Sequence, residues 1–304
     1  MMARTAQAPR IRRCATMEAH HRLLEAHPEF RARQAALQAH TERFSTTFLT
    51  ARLGVTSIPV VVHVVYNVAS ENINVPQIRS QISVLNRDYR AKNTDRGKVP
   101  APWNGLMEDA RVEFHLATKD PHGKATKGIT RTKTSHTSFS ADDSVKATAT
   151  GGAAPWPANR YLNIWVCSLS QNLLGYAQFP GGPVKTDGVV ILNTAFGTNG
   201  TAAAPFNRGR SATHEVGHWL NLHHIWADTP DCTGTDYVDD TPNQAGPNYG
   251  KPKFPHVTCN NGPNGDMFMN YMDYVDDDSM VMFTTQQVAR MQAALDGARS
   301  KIGT

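Results

Sequence analysis

The sequence contains no apolar run long enough to cross a bilayer and no internal repeat. Its first segment, Met1 to Arg13, is polar and basic, and it lacks the apolar core of about seven or more residues that marks a secretory signal peptide. We therefore expect no membrane span, and we do not interpret these residues as a leader sequence.

Most of the chain also lacks an excess of positive or negative charge. The 304 residues carry a net charge of +5, yet nine of the 31 Lys and Arg and four of the 26 Asp and Glu lie in residues 1–55. Residues 56–304 thus hold 22 of each sign, which gives no electrostatic reason to expect a nucleic-acid partner. We predict a basic N-terminal segment, residues 1–55, and one domain with a single core, residues 56–304.

Glutamate is missing from everything after Glu215, and that residue lies in the motif His214-Glu215-Val216-Gly217-His218. On a helix, His214 and His218 lie one turn apart on the same face, so both imidazoles can bind one tetrahedral zinc ion. Glu215 is placed to act as the general base of a metal-dependent peptide hydrolase. A downstream glutamate is excluded as the third ligand. His224 is the best candidate, and His223 is the alternative.

Two further features fit a zinc site of this type. Asn221 follows the second histidine at the point where the chain must leave the helix sharply, and asparagine tolerates the left-handed backbone conformation that such a turn needs. Met272, in the segment Asn270-Tyr271-Met272-Asp273-Tyr274, is a candidate for a methionine turn that forms a hydrophobic floor beneath the metal.

These residues resemble the pappalysin family of metzincin zinc proteases, in particular its short secreted, ulilysin-like members. The resemblance covers most of the chain after about residue 57. It implies an α+β metzincin fold, in which a twisted mixed sheet and the active-site helix lie above a cleft and a loop-rich lower subdomain with a C-terminal helix lies below it. The motifs that carry it are HEVGHWLNLHHIW at 214–226, Asp240-Thr241-Pro242, GDMFMNYMDY at 265–274 and Met282-Phe283-Thr284.

The resemblance also implies roles around the cleft. Tyr274 matches a tyrosine that hydrogen-bonds the tetrahedral intermediate. Gly175, Tyr176 and Ala177 match the edge strand to which an extended substrate adds. Met280 matches an aspartate at the base of the primed-side pocket in enzymes that cut before Arg or Lys. We therefore predict a preference for apolar or uncharged residues after the cut.

The same resemblance implies stabilising features in the lower loops. Asp236 and Thr241 match a calcium-binding loop, with a solvated acidic turn as the alternative. Cys232 and Cys259 match a pair of cysteines that form a disulfide. Cys167 lies in an apolar segment, and we interpret it as a buried free thiol.

Cys14 lies in the basic N-terminal segment, within Arg12-Arg13-Cys14-Ala15-Thr16-Met17, ahead of a stretch of helical character from Glu18 to Arg43. A thiolate is a strong zinc ligand, so this residue can occupy the fourth coordination position and exclude water, as in a cysteine switch. The alternative is an unpaired thiol in a disordered tail. We expect the maturation cut between Thr41 and Val55.

Apolar periodicity predicts alternating strands and helices before the zinc motif, and residues Asp228 to Pro263 are rich in turn-forming side chains and predict loops. The predicted strands are Ile58 to Tyr66, Val112 to Ala117, Tyr161 to Ser168 and Gly188 to Leu192; the predicted helices are Pro76 to Tyr89, about Ser211 to Asn221, and Thr284 or Thr285 to about Ser300.

Taken together, the residues predict a zinc endopeptidase that cleaves extended protein or peptide substrates and is made as a latent proenzyme. We expect a secreted monomer, because the predicted disulfide and the family favour export. A non-catalytic binding module held together by zinc is one alternative, although structural zinc needs no carboxylate such as Glu215 beside it. A zinc hydrolase of non-peptide amides is another, and the residues leave it open.

Overall fold

The structure is a computed structural model that describes residues 9–47 and 54–303. Within these ranges the helices are α1 (Thr16–Ala26), α2 (Pro28–Thr47), α3 (Val75–Asp88), α4 (Arg210–Trp219) and α5 (Thr285–Asp296). The strands are β1 (Thr56–Tyr66), β2 (Val112–Leu116), β3 (Ile129–Lys133), β4 (Leu162–Cys167), β5 (Gly175–Ala177), β6 (Val189–Leu192), β7 (Tyr249–Gly250) and β8 (Tyr274–Val275). Short 3-10 turns lie at Ala69–Glu71, Arg96–Lys98, Ala101–Leu106, Ser144–Lys146, Thr148–Thr150 and Asn193–Ala195.

Six strands form one mixed sheet. Five of them follow the order β2-β1-β4-β6-β5, and the sixth, β3, pairs with β1. The long strand β1 pairs with β2 along its first half and with β3 along its second half. All of these pairs are parallel except β5 with β6. The antiparallel strand β5 therefore lies at the edge of the sheet, as the resemblance predicts, and the mixed sheet of the α+β class is confirmed.

The sheet is buried on both faces, which explains why its central strands are continuously apolar rather than alternating. Along β4, Ile164 and Val166 belong to the main hydrophobic core, which also contains Val216 of the zinc helix and Met272. Trp165 belongs to a second core on the opposite face. Helix α4 thus packs against one face of the sheet and is held next to the edge strand β5.

The lower part of the molecule is irregular, as its composition predicts. Between α4 and α5 the described strands are β7 and β8. Each has two residues, and they run parallel to each other. The disulfide between Cys232 and Cys259 closes the first loop with a Cα–Cα distance of 5.8 Å. Helix α5 begins after the capping residue Thr284 but ends at Asp296, because Gly297 follows and the chain turns there. The prediction that this helix reaches Ser300 was too long.

The N-terminal segment folds onto the domain. Cys14, just before α1, pairs with Gly175 of the edge strand, α1 contacts β5, and α2 packs against α5. The expected maturation cut lies in a stretch whose residues 48–53 are outside the described residues. In the described part of the chain, no helix has both the length and the apolar character needed to span a membrane.

Candidate metal centre and cleft

Helix α4 brings His214 and His218 to the same point, and the turn after the helix adds His224. Asn221 adopts a left-handed conformation with a φ of 77°, which ends the helix and redirects the chain. The Nε2 atoms of the three histidines lie 3.1 to 3.2 Å apart, and all three residues are buried. The ring chosen from the sequence as the third ligand is therefore the one that joins the other two.

The opposite nitrogen of each ring has an acceptor. Nδ1 of His214 donates to the Tyr271 carbonyl oxygen at 2.8 Å, and Nδ1 of His218 donates to the Leu222 carbonyl oxygen at 2.7 Å. Nδ1 of His224 lies 2.7 Å from the carboxylate of Asp228. Because a neutral imidazole carries one proton, placing it on Nδ1 leaves each Nε2 with a lone pair.

Burial favours the neutral form of His214 and His218, since it lowers the pKa of each well below the usual value. Three lone pairs that face one another at hydrogen-bond distance without a proton between them are a site for a cation. Three imidazoles are the ligands of many catalytic zinc sites, so the donor set fits zinc.

Glu215 points into the same cavity from α4 and is buried. Burial raises the pKa of its carboxyl to about 7, and the hydrogen bond from Thr16 opposes this rise. Gly175 lies directly against this side chain, because a Cβ there would come within 2.9 Å of Glu215 Cγ. The edge strand must therefore carry glycine at this position for the carboxylate to remain beside the histidines.

Met272 lies beneath the metal centre and is fully buried. Its sulfur lies so close to the zinc helix that a Cβ on Gly217 would come within 2.5 Å of it. The backbone N–H of Met272 donates to the Asn270 side chain at 2.9 Å, which closes the turn. The turn also supplies the carbonyl of Tyr271 that orients His214, so it supports the site by packing and by hydrogen bonding.

Tyr274 follows this turn, and its ring packs against His224 and Trp226. Burial raises the pKa of its hydroxyl well above the usual value, so the group remains a donor. The hydroxyl donates to the Cys14 carbonyl oxygen and accepts from the Cys14 N–H, both at 3.2 Å. It therefore contacts the backbone of a chain lying in the cleft.

Cys14 lies at the metal centre rather than in a disordered tail. Its sulfur and one ring nitrogen from each of His214, His218 and His224 all lie within 4.8 Å of one another. Among the residues that the structure describes, these four side chains form the group of His, Cys, Asp and Glu residues that could hold a metal ion. The free cysteines are this residue and Cys167, and both are buried.

The segment around Cys14 pairs with the edge strand. Leu174 N–H donates to the Arg13 carbonyl at 2.9 Å, and Ala15 N–H donates to the Gly175 carbonyl at 3.1 Å. The bridge between Cys14 and Gly175 is parallel. The side chain of Tyr176 points away into the second core, so this residue offers only its backbone to the cleft.

Thr16, which the sequence did not single out, links the segment to the carboxylate of Glu215. Its Oγ1 donates to Glu215 Oε2 at 2.9 Å and accepts from the Ala177 N–H at 2.8 Å. The hydroxyl thus binds both this carboxylate and a backbone N–H of the edge strand.

Arg12 enters a buried pocket next to the metal centre. Its guanidinium donates to Asp277 Oδ1 at 2.6 Å, to Ser211 Oγ at 3.1 Å and to the Val275 carbonyl at 3.2 Å. The ion pair is almost fully buried, with side-chain exposures of 1% and 0%. Phe206 lies under the guanidinium, 5.0 Å from its carbon. The pocket is therefore built to hold a cation.

Met280, which the resemblance matches to an aspartate at the base of the primed-side pocket, is not one of the residues that bind Arg12 in this pocket. Met280 is fully buried in the main core, where its carbonyl accepts a hydrogen bond from Arg210. The acidic group of the pocket is Asp277, in the run Asp276-Asp277-Asp278 just after the methionine turn. That run was the available signal, but the sequence does not indicate which of three neighbouring aspartates points inward.

Asp236 and Thr241, the residues predicted to bind calcium, lie in the loop that follows the helix α4. Thr241 Oγ1 donates to Asp236 Oδ2 at 2.7 Å, and burial raises the pKa of Asp236 to about 7. No other carboxylate joins them in a metal-binding cluster among the described residues, so the calcium site stays a prediction. His223 points away from the three Nε2 atoms and stacks on Phe179, with ring centroids 4.8 Å apart.

Comparisons with known proteins agree with this geometry. A family model described as pregnancy-associated plasma protein-A matches residues 146–296. An extracellular metalloprotease of Pyricularia oryzae is 32% identical over 264 residues, which cover 84% of this chain and 80% of that protein. An extracellular metalloprotease of Arthroderma otae is 30% identical, with 84% and 83% covered.

Two solved structures are similar over most of their length. Mature mirolysin of Tannerella forsythia in complex with a cleaved peptide is 51% identical with a TM-score of 0.80, and the match covers 82% of this chain and 95% of that one. A mutant of promirolysin from the same organism is 45% identical with a TM-score of 0.87, and the match covers 95% of this chain and 96% of that one.

Asp228 is predicted to tighten the metal centre, because among the described residues its carboxylate is the one that binds a histidine of the cluster. Replacing it with alanine should weaken zinc binding by about 10- to 100-fold, since His224 loses the hydrogen bond that orients its ring. Titration of the zinc-free protein against a fluorescent chelator measures this affinity. The exposed Asp239, on the same loop, is the control for loss of a carboxylate. Equal zinc affinity in Asp228→Ala and Asp239→Ala would contradict the role.

Proposed function

The chain belongs to the pappalysin family of metzincin proteases, and from this premise we propose that Glu215 is its general base and that residues 1–55 hold it latent. The protein is a zinc metalloendopeptidase made as a proenzyme. Family membership therefore favours peptide hydrolysis over a binding module or an amidase for non-peptide substrates. The observation that carries the proposal is the convergence of three Nε2 lone pairs beside the buried carboxylate of Glu215.

His214, His218 and His224 would hold the zinc. When bound, the ion would polarise a peptide carbonyl and lower the pKa of water so that it ionises near neutral pH. Glu215 Oε2 takes the proton of the attacking water and passes it to the leaving amine. Tyr274 donates its hydroxyl hydrogen to the oxygen of the reacting carbonyl, where negative charge develops. Its hydrogen bond to the Cys14 carbonyl supports this, because a substrate carbonyl would replace that group.

Substrate adds to the edge strand β5 through the backbone of Gly175, Tyr176 and Ala177. The groups that now bind Arg13, Ala15 and Thr16 are then free for a peptide. The segment after Met272 forms the primed-side pocket that the family resemblance implies. Since this pocket lies at the start of β5, a substrate runs antiparallel to the strand, opposite to the parallel N-terminal segment.

Latency rests on three contacts of the N-terminal segment. Cys14 lies at the metal centre, Thr16 binds the general base, and Arg12 fills the primed-side pocket. The two mirolysin structures support this division of the chain, because the proenzyme matches 95% of it and the mature enzyme 82%. The share of the chain that the mature enzyme matches agrees in size with residues 56–304.

The pocket that holds Arg12 supports a preference for arginine or lysine directly after the cut. Asp277 is fully buried, and a substrate cation would replace the guanidinium. This replaces the apolar preference predicted from Met280. We also infer secretion, because the relatives are named extracellular metalloproteases and the chain carries a disulfide. The monomeric state, the lack of a nucleic-acid partner and calcium at Asp236 and Thr241 stay predictions.

Glu215→Gln should lower kcat by about 10²- to 10⁴-fold, because the amide cannot accept the proton of the attacking water. Zinc content should stay equal to that of the unchanged protein, since the histidines are intact. Fluorogenic peptide hydrolysis by the processed enzyme, from which the N-terminal segment has been cleaved, and elemental analysis measure the two quantities. Full activity in a zinc-loaded Glu215→Gln variant would show that another group is the base.

Cys14→Ala should raise the activity of the uncut chain by about tenfold, the effect of weakening an internal complex by about 1.4 kcal/mol. Activation remains partial, because Arg12 and Thr16 still occupy the cleft. Initial rates are measured while mass spectrometry confirms that the chain is uncut. Cys167→Ala removes the other buried free thiol and should leave latency unchanged. Equal latency in both variants would exclude the cysteine switch.

Asp277→Asn tests the primed-side pocket and keeps an acceptor for the backbone N–H groups of Arg208 and Arg210. The ratio of kcat/KM between peptides with Arg and with Leu after the cut should fall by about 30-fold or more, because the cation loses its partner in a buried site. Asp276→Asn, the neighbouring change, should leave the ratio unchanged. An unaltered Arg preference in Asp277→Asn would contradict the assignment.

A further inference from the structure

The edge strand leads directly to an aromatic residue that the proposed mechanism does not use. Phe179 lies two residues beyond Ala177, and its ring is buried. It packs against His218 on one side, with ring centroids 5.6 Å apart, and stacks on His223 at 4.8 Å and an interplanar angle of 23°. His223 in turn contacts the ring of Tyr237 at 5.0 Å. We call Phe179, His223 and Tyr237 the aromatic platform.

The platform is built within the domain. Tyr237 lies under the guanidinium of Arg290, 4.9 Å from its carbon, and Arg290 also donates to the Asn221 carbonyl at 2.6 Å. These contacts join the platform to α5 and to the turn that follows the zinc helix. All of these residues follow residue 55, so removal of the N-terminal segment leaves the supports of the platform in place.

The N-terminal segment covers the platform with apolar side chains. Leu23 and Phe30 are buried against Phe179, and Met17 packs beside them. The ring of His20 lies edge-on to Phe179 at 4.9 Å. This is the part of the segment that follows Thr16, at the opposite end of the cleft from Arg12. The enzyme's own segment therefore seats aliphatic and aromatic groups on this surface.

The position of the platform assigns it to one side of the scissile bond. The primed-side pocket lies at the start of β5 and Phe179 lies beyond its end. A substrate antiparallel to β5 thus passes the platform with the residues that precede the cut. Loss of the segment uncovers Phe179 next to the strand edge, where a substrate side chain can remove it from water again.

We propose that the aromatic platform is a substrate subsite that selects an aromatic or large aliphatic side chain on the amino-terminal side of the cut. The subsite rests on the proposed function, because it needs a peptide on β5. It also accounts for His223, the first histidine of the His223-His224 pair, whose ring supports Phe179 while His224 joins the metal centre.

The test compares peptides that share Arg after the cut and carry Phe or Gly at the second, third or fourth position before it. The processed enzyme should prefer Phe at one position by about tenfold in kcat/KM. Phe179→Ala should reduce this ratio to about twofold, and Phe179→Leu should keep most of it for a Leu-containing peptide. Phe254→Ala, which removes a partly exposed aromatic ring outside the cleft, should leave the ratio unchanged.

A binding measurement separates this proposal from the hydrolytic mechanism. In the processed Glu215→Gln background, the Phe peptide should bind about tenfold more tightly than the Gly peptide, and Phe179→Ala should remove the difference. Thermal unfolding confirms that each variant is folded. Equal ratios with and without Phe179, or no Phe preference in the unchanged enzyme, would overturn the subsite. Binding without any hydrolysis by the unchanged enzyme would overturn the proposed function and leave the subsite supported.

Discussion

The rest of the structure depends on three imidazole nitrogens being held together with their lone pairs facing one another. Such an arrangement is unfavourable without a cation, so a hydrogen bond at Nδ1 must hold each ring in its orientation. The partners come from three places: the methionine turn offers the Tyr271 carbonyl, the turn after the zinc helix offers the Leu222 carbonyl, and Asp228 offers a carboxylate. The irregular lower half of the fold therefore orients the histidines, while the helix α4 supplies two of them.

The same constraint explains how the N-terminal segment blocks the cleft. Each group that the proposed mechanism uses is already in contact with this segment: the metal centre with Cys14, Glu215 with Thr16, and Asp277 with Arg12. Removing one member of a buried ion pair leaves the other charge unpaired in a site of low polarity, which is costly. The Arg12–Asp277 pair thus opposes partial withdrawal of the segment. An incoming substrate with a cation can take its place at no such cost.

Local patterns allowed the strands β1, β2, β4 and β6, the helix α4 and the three histidines that converge to be predicted, because each depends on spacing within one segment. Asn221 predicted a left-handed turn, and its φ of 77° confirms it. Contacts between distant segments were not predictable in this way. Thr16 meets Glu215 across 199 positions, and Arg12 meets Asp277 across 265. The sequence also could not show that Met280 is buried in the core while Asp277 binds Arg12, because the direction in which each side chain points is set by the tertiary packing.

The adjacent histidines after Asn221 show the same principle at its smallest scale. His224 turns towards the metal centre, where Asp228 accepts from its Nδ1. His223 turns the other way and packs between Phe179 and Tyr237. A left-handed turn determines how the chain returns to the zinc, and that return separates two identical side chains into different environments. One histidine then contributes to the chemistry of the site, and its neighbour contributes to the surface over which a peptide passes before it reaches that chemistry.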